Sequence, residues 1–234
     1  MRRWIRLLGT VLVVAGVLTL VWAGVVWQWQ DPFTALYTKW RQHQLTSQYE
    51  KRVETFSLPP AVTSPAAERR SIALQAGRYR HDSKRGEAIG RIRVSRMGVN
   101  MILVNGTDHD TLKKGPGRDI RTFMPGENRL VYIAGHRTTY LAPFSHIDRL
   151  RTGDRVTLEL PYGRFIYSVT HHRIVKSTDL SVLRSPRHEV VELQACHPRF
   201  FASHRYIVYA KLIRIEPRGA PPLDIGATAQ ASGK

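Results

Sequence analysis

Apolar and polar positions divide the chain into three textures. Residues 7–27, LLGTVLVVAGVLTLVWAGVVW, form one apolar run without a charged side chain. As a helix, these residues span roughly 32 Å, close to the ~30 Å hydrocarbon core of a bilayer. Residues 31–87 show no sustained strand alternation. DPFTALYTKWRQHQLTSQYEKRVETF is compatible with a helix, and Pro59, Pro60 and Pro65 stop it. The polar, basic stretch from Ala66 to Glu87 reads as mobile linker. From about residue 88 to 216 the pattern becomes short β-like runs separated by turn signals. IGRIRVSRMGVNMILVNG predicts two strands broken near Met97–Gly98, and RLVYIAGH predicts an apolar strand ending at Gly135–His136. APFSHIDRL predicts a short helix, and DRVTLELPYGRFIYSVTHHRIVK a hairpin across Pro161–Tyr162–Gly163. EVVELQAC and RYIVYAKLIRIEP are the last two strands.

Seven or eight short strands with little helix and no βαβ alternation predict a mainly β fold, a closed or nearly closed barrel. The organisation expected is a cytoplasmic tip and transmembrane anchor over 1–30, a spacer over 31–87, the folded module over 88–216, and a flexible Gly/Ala/Pro-rich tail over 217–234.

Charge changes this picture less than its size suggests. Lys and Arg outnumber Asp and Glu by 36 to 18, a formal net charge of +18. Alone, that excess fits nucleic acid or an anionic surface. The apolar run decides between them. Arg2, Arg3 and Arg6 precede it and favour a cytoplasmic N-terminus, and Trp22, Trp27 and Trp29 sit where an interfacial belt forms. The run exceeds the ~7–15 residues of a signal-peptide core, and no A-x-A-like site follows it. A single-pass cell-membrane protein with its module outside the cytoplasm is expected. No nucleic-acid partner is expected, and the basic charge suits a wall polymer or lipid surface.

A single cysteine excludes an internal disulfide framework and a multi-cysteine zinc ribbon. Cys196 closes the strand EVVELQAC, in which Val191, Leu193 and Ala195 alternate with Glu192, Gln194 and Cys196. That period puts Cys196 on the polar face at the strand exit, where Pro198 ends pairing. A thiol there, near cationic groups, can serve as a nucleophile. His136 also stands at a strand exit. Arg205 opens the last strand, and the loop HPRFFASH brings it back beside Cys196 as a hairpin. His171, His172 and His197 with Cys196 lack the spacing of a zinc site, and the module has no acidic cluster for calcium. No metal and no cofactor are expected.

GHRTTYLAPFSHID, LQACHP and SHR opening the final strand together resemble sortases, more narrowly the class E sortases of Gram-positive actinobacteria. The resemblance covers residues 88–216 and includes an N-terminal anchor and linker. It implies the sortase-type barrel and a cysteine transpeptidase that cleaves a C-terminal sorting signal between Thr and Gly. The Thr carboxyl then passes to an amine of a peptidoglycan precursor or a pilin. Carried over, Cys196 is the nucleophile, His136 the general acid and base, and Arg205 the substrate and oxyanion ligand. Thr138, Tyr140, Ala195 and His197 are candidates to line the substrate groove, with the loop Lys176–His188 as its wall. The family's T-L-x-T-C signature departs here at Glu192 and Ala195. Class E relatives are associated with a Leu-Ala-x-Thr-Gly signal. Two other readings remain at this stage: an L,D-transpeptidase-like wall cross-linker, and a membrane-tethered binding module without catalysis.

Overall fold

The computed structural model describes residues 2–225 except 30, 31, 61 and 63. Helix α1 (Arg2–Trp29) contains one span, Arg2–Val25, long and apolar enough to cross a membrane, with none of that span buried inside the protein. Trp22 is 44% exposed; the side chains of Trp27 and Trp29 lie outside the described ones.

Helix α2 (Pro32–Thr55) is where the mixed-charge segment was expected to be helical. Leu45 and Tyr49 pack on Ala88, Ile102 and Val104 of the barrel. Gln42 makes a specific repair. Its side-chain amide accepts from Ile102 N–H at 2.7 Å and donates to the carbonyls of Ile102 and Lys114 at 3.1 and 2.8 Å. Backbone groups at that strand edge, which would otherwise go unpaired, are thereby satisfied.

The segment expected to be mobile linker is instead helix α3 (Pro65–Asp82). Ser64 caps it, accepting from Ala67 N–H, and Pro65 opens it. Ile72, Ala76 and Tyr79 are buried at positions i, i+4 and i+7. The polar composition hid that narrow stripe. Tyr79 donates to Ile89 O at 2.9 Å and joins Phe56, Tyr162 and Phe165 in an aromatic cluster with ring centroids 5.7–5.9 Å apart.

The barrel is built from β1 (Ala88–Val94), β2 (Val99–Asn105), β3 (Gly117–Arg118), β4 (Leu130–Ala134), β5 (Arg155–Leu160), β6 (Gly163–Lys176), β7 (Val190–His197) and β8 (His204–Pro217). The order is β6-β5-β1-β2-β3-β4-β7-β8, and β8 pairs back onto β6 to close it. The fold is therefore the mainly β, closed barrel that the strand pattern predicted. Gly98, at φ 68°, makes the turn between β1 and β2. The long strands β6 and β8 pair along their whole length, with two register shifts, one extra residue in β8 opposite Ile166/Tyr167 and one in β6 between Val169 and His171. Such shifts bend a strand, as barrel closure requires.

Two further expectations change. The segment 142–150 is mostly turns, with only a 3₁₀ turn at Ile147–Arg149, because Tyr140, Leu141 and Ala142 all take positive φ. The tail past Pro217 continues into β9 (Leu223–Asp224), paired with Arg214 and Ile215 of β8. Residues 226–234 lie outside the described ones.

Candidate active site

Strand pairing places the chemistry. β7 and β8 form an antiparallel hairpin in which Cys196 is the direct partner of Arg205. β4 runs parallel to β7, with Ala134 opposite Gln194, and Gly135 N–H donates to Gln194 O at 3.0 Å. Both strands end at the same mouth, so His136, two residues past Ala134, arrives beside Cys196. Cys196, His136 and Arg205 line one cleft of ≈ 270 Å³ with Tyr132, Asp119 and Arg121. The segment between β6 and β7 contributes Ser177, Leu180 and Val182, which puts part of the expected Lys176–His188 wall on the cleft.

The three side chains differ in how they are held. Cys196 is a free, half-buried thiol. His136 is largely buried and its Nε2 has no hydrogen-bond partner. Burial lowers its pKa below the usual imidazole value, helped by His109, so the ring is neutral near pH 7. Arg205 is anchored by one nitrogen, Nη1, donating to Ala202 O and His204 O at 2.7 and 3.0 Å.

The other expected groove residues are placed elsewhere. Ala195 is fully buried in the barrel core with Val191 and Leu193, because odd positions of β7 face inward. His197 faces Arg137 and does not line the cleft. The Tyr140 ring lies 5.1 Å from that of His136, and Tyr140 does not line the cleft. Thr138 is half-buried in the same turn and is not on the cleft wall. The polar face of β7 is also not a solvent face. Glu192 is only 4% exposed.

Arg137 lies inside the GHR pattern, and the pattern alone does not announce its part. It is 6% exposed and ties the site together. Its Nη1 donates to Cys196 O at 3.2 Å and meets His197 Nδ1 at 3.0 Å, and its Nη2 pairs with Asp148 at 3.0 Å. A guanidinium has no acceptor, so His197 Nδ1 accepts and that ring is neutral. Burial first, then Arg137, lowers the His197 pKa. The loop before β4 is fixed by Arg118, 1% exposed, which donates to Asn105 Oδ1, Asp119 O and Thr122 O. Burial pushes its pKa down to about 10. Among the described residues, no three His, Cys, Asp or Glu side chains gather as a metal-ligating group.

The fold and site together are those of a closed β-barrel with a cysteine, a histidine and arginines at a shared mouth. A model of the sortase domain matches residues 92–213, and the chain belongs to the sortase family. Over 133 residues it is 34% identical to Sortase D of Bacillus subtilis (strain 168), a match covering 55% of this chain and 65% of that protein. Over 109 residues it is 32% identical to Sortase SrtE1 of Streptomyces coelicolor, covering 42% of this chain and 31% of that one. The chain thus spans less than two thirds of the length of both relatives. The solved Clostridium perfringens Sortase D5 transpeptidase shares the fold at a TM-score of 0.60 and 25% identity, over 74% of this chain and 98% of that one. This membership replaces the L,D-transpeptidase-like reading.

Proposed function

We propose that the protein is a membrane-anchored cysteine transpeptidase acting on secreted proteins that carry a C-terminal sorting signal. The observation that carries this reading is the register itself: Cys196 opposite Arg205, with His136 delivered to the same cleft by the neighbouring parallel strand. Neutral His136 takes the thiol proton as Cys196 attacks the Thr carbonyl. Arg205 donates to the oxyanion. The C–N bond breaks as the proton passes to the departing glycine amine, leaving a thioester on Cys196. An incoming amine, from a peptidoglycan precursor or a pilin, attacks the thioester, loses a proton to His136, and frees the thiol. No cofactor takes part. α1 holds the enzyme in the cell membrane with its N-terminus cytoplasmic.

Intact-mass analysis with a sorting-signal peptide and no amine acceptor tests the core of this reading. The wild type should gain the mass of the acylated fragment. Cys196→Ala should gain none and lose both transfer and hydrolysis. An enzyme that turns over without Cys196 defeats the reading; a wild type that gains no fragment and turns nothing over leaves the binding module.

The finer assignment is class E, with Leu-Ala-x-Thr-Gly as the signal. It is supported by the GHR and LQACHP patterns and by a relative in that class; the match to Sortase D makes it worth testing directly. Proline presets φ near −65° and lacks an N–H, whereas alanine presents a donor the groove must meet. Two peptides differing only at that position should give a higher kcat/KM with Ala. Equal or Pro-favouring rates end the class E assignment. Tyr140→Phe should narrow the preference if the phenolic oxygen accepts that N–H, and leave it intact if Tyr140 serves only His136.

A further inference from the structure

Helix α2 has a direction relative to the site. At its start, Thr34 Oγ1 accepts from Tyr140 N–H at 3.1 Å, and the Tyr37 ring lies 6.5 Å from that of Tyr140, which in turn packs on His136. In its middle, Gln42 meets β2. Near its end, Val53 O accepts from Arg218 at 2.7 Å, and Arg218 N–H donates to Tyr162 O at the opposite end of the barrel, where Gly163 pairs with Pro217. The helix therefore starts at the mouth that carries the cysteine and runs about 36 Å toward the closed end. Trp29, the last residue of α1, and Pro32, the first of α2, are three residues apart in sequence, so they lie within about 11 Å of each other. A bilayer crossed by α1 must lie near the mouth and not near the far end.

The mouth is also where large apolar side chains stand unburied. Phe200 and Phe201, in the β7–β8 loop just past Cys196, are 61% and 83% exposed. Leu36 and Trp40, one helical turn apart on α2, are 69% and 54% exposed. Ile120, beside the cleft residues Asp119 and Arg121, is 43% exposed. These side chains come from three separate elements and share one end. Exposed Arg199 and Lys39 flank them. Aromatic residues with adjacent basic ones suit the water–lipid boundary.

We propose that the active-site mouth rests on the lipid bilayer, with Phe200 and Phe201 entering its interface. The proposal depends on α1 being the membrane anchor. It places the thiol within reach of polypeptide held close to the membrane surface and turns the barrel's opposite end, with β5, the start of β6 and α3, toward the wall.

The full chain carrying Cys196→Ala is reconstituted into phosphatidylglycerol-containing vesicles. Single cysteines are introduced as Phe201→Cys or Arg164→Cys and labelled with an environment-sensitive fluorophore. The Phe201→Cys label should be quenched by lipid carrying a headgroup-level quencher, and the Arg164→Cys label should not. Equal quenching at the two sites overturns the proposal while the anchor stands. A chain that alkaline washing strips from the vesicles overturns the anchor itself, and this orientation with it. With the active enzyme, Phe200→Ser/Phe201→Ser should leave turnover of a soluble peptide within about twofold and reduce turnover of a lipid-tethered peptide about tenfold. Equal losses on both peptides would make these residues part of the groove and end the interfacial role.

Discussion

Glu189 and Glu192 stand three residues apart where β7 begins, 5% and 4% exposed, in opposite surroundings. Glu189 is bonded through both oxygens. Oε1 accepts from the Tyr167 hydroxyl at 2.5 Å, and Oε2 from the N–H groups of Gly126 and Asn128 at 2.9 and 3.1 Å. Glu192 has an oxygen, Oε2, with no partner at all. Burial raises both acids, to about 7 for Glu189 and about 8 for Glu192. One carboxyl fastens the entry of β7 to the turn before β4. The other lies further along the strand toward the cysteine, and its strand neighbours are Tyr132 and Tyr209. Unpartnered buried atoms gather at that end. His136 Nε2, Arg137 Nε and Glu192 Oε2 are three of the six among the described side chains. The other three belong to Arg41, Gln75 and Arg214 on α2, α3 and β8, so half of the unpartnered buried atoms stand on or beside β4 and β7.

The bonded end should break hardest. Glu189→Ala strands the Tyr167 hydroxyl and two backbone N–H groups in the interior. Each costs about 1–3 kcal/mol, so a total loss of about 3 kcal/mol or more is expected. Urea unfolding measures it. A loss below about 1 kcal/mol would mean the turn relaxes freely, and the contrast with Glu192 would collapse.

At the cysteine end of the strand the measured quantity is rate. Arg205 is held through Nη1 on the carbonyls of Ala202 and His204, and the proposed oxyanion role uses the rest of its planar fork. Lysine preserves charge without the fork. Arg205→Lys should lower kcat/KM about 10²-fold, as for loss of an oxyanion donor, with little change in stability. Near-normal turnover would reduce Arg205 to a charge.

The unequal legibility of these regions in the sequence has a physical cause. Strand alternation gave the barrel, and the short HPRFFASH loop gave the Cys196–Arg205 pairing, because hairpins are local. Its residues alone make His136 a strand end, and only the resemblance carried by GHR sets it beside Cys196; the approach itself depends on a parallel pairing across 60 residues. Helix α3 was missed because three buried side chains in 18 residues leave a polar average. Ala195 was given to the groove although its period faces the core. Glu192 was assigned to a polar face, yet the segment after β6 covers that face, and nothing in EVVELQAC announces a cover from 177–183. Arg137 stands inside the GHR pattern, but nothing local announces its partners, which are Cys196, His197 and Asp148.

The smallest effect is the most diagnostic for the unbonded acid. A carboxyl raised from 4.5 to about 8 by burial holds its proton in the folded state after the unfolded chain has lost it. Folding then takes up a proton, and stability falls as pH rises from about 4.5 to about 8, then levels off. Glu189 contributes the same slope only up to about 7. The lowered imidazoles His136, His146 and His197 act below 6.5 and in the opposite direction. The interval from pH 7 to 8 therefore belongs mainly to Glu192. Glu192→Leu removes the titrating group at similar volume and leaves no buried polar atom behind, a change that is often neutral or stabilising. At pH 7 the variant should match the wild type within about 1 kcal/mol, and by pH 8 it should gain on it as the wild type alone declines. Thermal unfolding at half-unit steps follows both. A parallel decline in the two proteins would assign the slope to another group.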